Sequence, residues 1–286
     1  FMKRLILEVI RFLLTYTVFV LWLINSLIKG RLFHKTQSKH NRERMDRIRI
    51  LANGPSLRDE ISKLENVAEY DYGMLNDSIL TPEFQRFKPK YYFLADPLYF
   101  SRDLEANDHR MTKAFNSIDW QITLCVPTSV LNYVKSIINN KNISIVAIPV
   151  SIPRIVKIQR LRNYAYKKGW ACPPVQNVVV SGIYIAIIEG YKTIELYGVG
   201  HSWLEQLAVR DDNVVCLKDV HYYNSDVDMK PWVKFDGGLY KLHEVLRDLA
   251  QMFDSYWELR YLANDMGGIK IVNRTKGSWI DTFERQ

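Results

Sequence analysis

Two hydrophobic patterns divide the chain. Between residues 12 and 28 (FLLTYTVFVLWLINSLI) nothing is charged, and apolar or aromatic side chains fall on every face of the helix such a run predicts. From Arg47 onward the pattern changes to continuous apolar runs separated by helical stretches. The runs at 48–52, 70–75, 91–95, 122–126, 143–148 and 194–197 are rich in β-branched and aromatic residues, and their lack of alternation predicts strands buried on both faces. Residues 56–65 and 128–139 read as helices between them. Leu239, Leu242, Leu246, Leu249, Phe253 and Tyr256 recur at three- and four-residue steps, predicting one long amphipathic helix before a last strand at 268–272. This alternation argues for an α/β fold: an open, mostly parallel sheet of Rossmann type with helices on both faces.

Charge sharpens the division. Residues 1–49 hold eleven Lys/Arg against Glu8, Glu43 and Asp46, which is the whole of the +8 net charge, because the 28 basic and 28 acidic side chains that follow cancel. A basic excess confined to one arm does not make a nucleic-acid-binding face, and no nucleic-acid partner is expected. Seventeen helical residues span about 26 Å, slightly short of a hydrocarbon core of roughly 30 Å. Lys29, Arg31, Lys35, Lys39, Arg42 and Arg44 follow at once, the pattern of attraction to anionic lipid. No small-residue cleavage site follows Ile28, so a removable signal peptide fits poorly. Residues 1–44 are therefore read as a membrane-associated helix with a basic arm, spanning or lying in one leaflet, and 45–286 as the main domain. The larger basic content after the helix puts that domain on the cytoplasmic side. Phe1, ahead of Met2, looks like an expression remnant and is excluded.

The 286 residues suffice for one large α/β domain plus this arm, and 48% hydrophobic with 24% charged residues excludes wholesale disorder. Cys125, Cys172 and Cys216 have neither metal-type nor CxxC spacing, which fits a reducing compartment. No GxGxxG, Walker A or HExxH motif occurs, so dehydrogenase, P-loop and zincin readings have no support.

In folds of this class ligands sit at the carboxyl ends of strands. Those positions hold Asn53-Gly54-Pro55-Ser56, Asn76-Asp77-Ser78, Asp96-Pro97, Ser181-Gly182 opening a helix, and Gly198-Val-Gly-His201-Ser202-Trp203. Glycine and serine before a helix let backbone amides meet a phosphate, although Asn-Gly-Pro-Ser also serves as a plain connector capped by Ser56. Of the six histidines, only His201 and His221 fall at apparent strand ends. A second charge anomaly lies between Trp120 and Ile188, where no Asp or Glu occurs and six of eight basic residues are Arg154, Lys157, Arg160, Arg162, Lys167 and Lys168. The segment 150–175 is either a solvated basic face with acidic partners elsewhere in the fold or a surface toward anionic lipid or a phosphorylated acceptor.

LANGPSL (51–57), the Asn76 loop, ADP (95–97), VVVSGIYIAIIEGYKTIELYGVG (178–200) and VHYY (220–223) together resemble the bacterial sialyltransferases of glycosyltransferase family 42 and related lipopolysaccharide glycosyltransferases. The resemblance covers about residues 47–275. It implies a GT-A-like nucleotide-binding fold, a CMP-activated sugar as co-substrate, no cofactor and no metal, and a glycolipid or polysaccharide acceptor. By position it makes Asn53 and Asn76 donor-binding, sets Ser181 and Gly182 against donor sugar and phosphate, and makes His221 the catalytic base. Asp96 stands where those sialyltransferases commonly carry Asn, which leaves Kdo or another ulosonic acid open beside sialic acid. The chain also lacks their Asp and phosphate-contacting Tyr after Gly198, so the phosphate could fall to His201, Ser202, Tyr222 or Tyr223. Two other readings stay open: a metal-dependent nucleotide-diphosphate-sugar transferase using Asp226 and Asp228, and a non-enzymatic, membrane-bound nucleotide-binding protein. A homo-oligomer is also left open.

Overall fold

The computed structural model describes residues 2–34, 36, 44–65, 67–96, 99–100, 110–218, 222, 228–234 and 236–286. Its centre is a sheet of eight parallel strands: β1 (Arg47–Leu51), β2 (Tyr70–Leu75), β3 (Tyr91–Phe93), β4 (Ile122–Pro127), β5 (Ile143–Ile148), β6 (Thr193–Tyr197), β10 (Lys270–Asn273) and β11 (Glu284–Arg285). Three short strands, β7 (Leu207–Val209), β8 (Val215–Leu217) and β9 (Lys230–Pro231), form a separate antiparallel meander. The helices are α1 (Met2–Ile28), α2 (Leu57–Ile61), α3 (Pro82–Phe87), α4 (Arg110–Asn116), α5 (Leu131–Ile137), α6 (Gln159–Lys167), α7 (Val178–Glu189) and α8 (Leu242–Asp265).

The spatial order is β11-β10-β6-β1-β2-β3-β4-β5. The chain runs outward from β1 to β5, then returns to the other side of β1 with β6. That reversal opens a crevice at the carboxyl ends of β1 and β6, the place where open α/β sheets bind ligands.

The continuous apolar runs feed two cores. Ile48, Ile50, Tyr91, Phe93, Ile194 and Leu196 face α7 and α8, while Leu51, Tyr72, Met74, Tyr92, Leu124 and Val126 face the cluster that holds residues of α2, α3, α4 and α5. Helix α7 is apolar all round, and all but its last residue are buried, as expected of a helix sandwiched between sheet and α8. Carboxylates inside the fold are paired. Asp71 meets Lys90 at 3.2 Å and the Tyr191 hydroxyl at 2.6 Å, both deeply buried. Burial alone would raise the Glu195 carboxyl, but Arg274 (2.7 Å) and Arg49 (3.2 Å) outweigh it and hold the group below its ordinary value.

Helix α1 starts ten residues before the uncharged run, and its stretch Leu5–Ile28 (mean hydropathy 1.9) is long and apolar enough to cross a membrane. One stripe of it, Thr15, Phe19, Trp22 and Ser26, is buried against the domain, and the Thr15 hydroxyl reaches the Ile155 carbonyl at 3.4 Å. The opposite stripe, including Leu13, Tyr16, Val20, Ile24 and Leu27, is exposed.

The acid-free segment divides. Arg162, expected on a surface, is buried on α6, with Glu258 of α8 at 2.9 Å and the Val156 carbonyl at 3.3 Å; a helix packed against α8 turns this position inward. Lys167 pairs with Asp265 at 2.7 Å. Arg154, Lys157, Arg160 and Lys168 are exposed, beside exposed Ile155 and Tyr164.

Candidate functional site

Two loops build the floor of the crevice by touching backbone to backbone. After β1 the Gly54 amide donates to the Gly198 carbonyl at 2.9 Å, and a Cβ at Gly54 would lie 2.3 Å from that oxygen. Gly198 sits at φ +69°, where a side chain would press on the Ala52 carbonyl and Leu57. Only glycine at both positions lets the loops after β1 and β6 approach this closely.

This crevice is a pocket of 120 Å³ lined by Asn53, Gly54, Pro55, Asn76, Asn177–Val179, Gly200, His201, Ser202 and Trp203. Asn53 donates from Nδ2 to the Leu75 carbonyl at 3.3 Å, but its Oδ1 is buried with no partner. Asn76 stands at φ +54°, a left-handed conformation asparagine tolerates, and its Oδ1 is also buried and unpartnered. Buried polar atoms normally find hydrogen bonds, so two unpartnered amide oxygens on residues that line one pocket stand out. The nearby Ser56 hydroxyl is likewise buried and unpartnered. Ser56 was expected to cap the next helix and makes no such bond; Gly54 and Pro55 carbonyls take the Leu57 and Arg58 amides instead.

Ser181 and Gly182 do not open a helix. Asn177 does: its side chain accepts from the Val179 amide at 2.8 Å, so α7 begins at Val178 and Ser181 lies one turn inside. There Ser181 bonds back to the Val178 carbonyl at 2.6 Å, and Gly182 lies against Phe93 and Ile50. Both are fully packed away from the pocket, and the helix N-terminus presented to it is Asn177–Val179. Among the described residues nothing accepts the Val178 amide, which points the positive end of the helix at the crevice. The sequence signal for this start was present: an asparagine directly before an apolar helical run.

His201 holds φ +56° and is buried, with its ring stacked on Trp203 at 4.6 Å and its Nε2 2.5 Å from the Tyr256 hydroxyl. Burial lowers its pKa to about 3 and pushes the Tyr256 phenol upward, so both are neutral near pH 7. The neutral ring and the neutral phenol share one hydrogen bond at Nε2, whose direction follows the imidazole tautomer. No lysine or arginine lines this pocket among the described residues.

The other expected positions fall elsewhere. Tyr222 is buried in the second core, its hydroxyl 3.2 Å from Thr81 Oγ1 and its pKa pushed up to about 12 by burial, and it does not line the pocket. Its amide donates to the Asn53 carbonyl at 3.1 Å, pinning the chain beside the site. Asp96 is exposed on a wider cleft of 860 Å³ that shares Asn76, Asn177, Val178 and Trp203 with the pocket and is roofed by Trp232, Lys234, Tyr240 and Leu249. Asp228 is exposed. His221, Tyr223 and Asp226 lie outside the described residues.

No protein-family model matches this sequence, and no curated protein does. Among solved structures, the sialyltransferase CstII from Campylobacter jejuni, in complex with a substrate analogue, cytidine-5'-monophosphate, aligns with a TM-score of 0.42 at 15% identity, covering 85% of each chain.

Proposed function

We propose that the chain is a metal-independent, inverting glycosyltransferase. It takes a sialic acid, Kdo or related ulosonic acid from a CMP-activated donor and passes it to a bacterial cell-surface glycolipid or polysaccharide. The observation that carries the reading is the pair of buried, unpartnered amide oxygens of Asn53 and Asn76, two residues that line the switch-point crevice together with the start of α7. Amide groups suit the base edge and ribose hydroxyls of a nucleoside, and the α7 N-terminus suits the phosphate. The neutral His201 ring and the Ser202 hydroxyl line the same pocket and supply uncharged polar groups for the departing phosphate oxygen. CMP leaves as a phosphate monoester, so such donors can stand where a diphosphate leaving group would call for a metal.

A base removes the acceptor hydroxyl proton as that oxygen attacks the anomeric carbon opposite the phosphate, and CMP departs as the glycosidic bond forms. His221 is proposed for this role, since a neutral imidazole suits it near pH 7. His201 does not: its depressed pKa makes it a poor proton acceptor. His221→Ala should lower turnover about 10²–10⁴-fold with CMP affinity intact. The acidic limb of the activity profile should vanish in that variant and persist in His201→Asn. Loss of activity in chelator, restored by a divalent metal, would favour the Asp226/Asp228 reading instead. The direct test of the whole proposal is thermal shift with CMP, UDP and GDP: CMP should stabilise most, by a margin growing with concentration. A chain that no nucleotide stabilises is not a transferase of this kind.

Membrane association is part of the proposal. Of the apolar stretch Leu5–Ile28, residues 15–26 pack on the domain along one face, so the undocked residues 5–14 cover about 15 Å, half a hydrocarbon core. That supports a helix lying in one leaflet, domain on one side and lipid on the other, with Arg154, Lys157, Arg160 and Lys168 beside it toward anionic headgroups.

A further inference from the structure

A second cleft, of 540 Å³, lies at the carboxyl ends of β4 and β5. It is lined by Lys29, Arg31 and His34, which closely follow α1, and by Thr128, Ser129 and Asn132. Among the described residues no carboxylate lines it and no ion pair engages Lys29 or Arg31. The composition explains this: β4, β5 and their loops belong to the stretch 120–188, which has no Asp or Glu at all. Cations beside a helix C-terminus need no special reason, since the dipole favours them. A roomy cleft that gathers two cations, a histidine and hydroxyl groups, with no carboxylate among the described residues that line it, does need one, and an anion supplies it. The cleft meets the wide one at Ala95 and Val175, so a continuous trough runs from the Asn53–Asn76 pocket to the end of the apolar helix.

We propose that this cleft holds the phosphate of a membrane-resident lipid, the anchor of the acceptor. The inference rests on the membrane-bound transferase reading and adds the acceptor's chemical class. Its position argues for lipid over a free anion, because two of its cations leave the very helix that lies in the leaflet.

The test uses the full chain in non-ionic detergent and titration calorimetry with dihexanoyl phosphatidic acid, dihexanoyl phosphatidylcholine and inorganic phosphate, with CMP measured in parallel. Phosphatidic acid should bind more tightly than the other two and remain bound at saturating CMP. The double variant Lys29→Ala/Arg31→Ala should weaken it tenfold or more and leave CMP binding unchanged. Asn132→Asp, on a different element, should do the same by repulsion. Inorganic phosphate binding as well as the lipid would overturn the lipid assignment, and displacement by CMP would place the probe in the nucleotide pocket and overturn the cleft. Unchanged affinity in both variants also overturns it. Phosphatidic acid binding as expected in a chain that ignores CMP would uphold the cleft and sink the donor reading alone.

Discussion

Two asparagines whose amide oxygens lack a partner line the crevice, and Asn76 and His201 each offer an experiment. Asn76 occupies a left-handed conformation that glycine adopts without strain, so Asn76→Gly removes only the amide. CMP affinity should fall about five- to tenfold, the worth of roughly one hydrogen bond, while the melting temperature stays within a few degrees. Equal affinity in calorimetry would show that the amide faces no ligand. His201 gives a pH test. Its native pKa, about 3, lies below the ordinary 6.5, so the unfolded chain takes up a proton first as pH drops. The stability it contributes is complete above pH 6.5 and drains away as pH falls toward 3, at up to about 1.4 kcal/mol per unit. His201→Asn keeps the left-handed backbone and should flatten the dependence of urea midpoint on pH across that window. At this scale the sequence was read unevenly. Asn53, Asn76 and His201 were legible as strand-end residues, whereas Ser181 and Gly182 drew attention away from Asn177. A helix register decides which residue of an apolar run faces a ligand, and three consecutive valines hide where the first turn begins.

Elements position the site through contacts that small changes would break. The Gly54–Gly198 approach leaves no room for a methyl group, so Gly54→Ala must separate the loops after β1 and β6. It should lower both stability and CMP binding, read by urea unfolding and by thermal shift. The Asn177 cap can be weighed separately: Asn177→Ala should cost about 1 kcal/mol of stability and weaken phosphate contact at the α7 start. For α1 the docked stripe predicts topology. A cysteine replacing Lys3 should react with an impermeant maleimide from the same side of a vesicle as the domain. Labelling from the opposite side alone would mean the helix crosses, and the contacts of Thr15, Phe19 and Trp22 would have to be released. The apolar run announced this helix plainly, but not its docking, since the docked stripe includes the hydroxyl residues Thr15 and Ser26 while leucines, valines and isoleucines around it stay exposed, the reverse of the usual amphipathic pattern.

On the scale of the whole molecule, the α/β class and seven of the sheet strands were legible because buried parallel strands are short, continuous and apolar. Their spatial order was not: nothing local in 193–197 says that this strand returns to pair with β1 rather than extending past β5. The two-residue β11 and the meander β7–β9 escaped for a related reason, being held by neighbours rather than by their own pattern. Arg162 shows the same limit, a basic residue whose carboxylate partner sits nearly a hundred residues away in Glu258. Buried pairs of that kind hold the fold together globally. Replacing Lys90 with Met strands the Asp71 carboxylate and should cost about 3–5 kcal/mol in denaturant unfolding. The fixed seat of α1 on the domain has one more consequence. A catalytic domain on a flexible tether samples many heights above a bilayer, but one bolted to its anchor has a single standoff. From β1 to β5 is four strand spacings, about 19 Å along the sheet edge. On the proposed reading, with the lipid end held at one extremity and transfer at the other, the protein would act as a ruler, and the length of the acceptor glycan, as much as its chemistry, would select which hydroxyl receives the sugar.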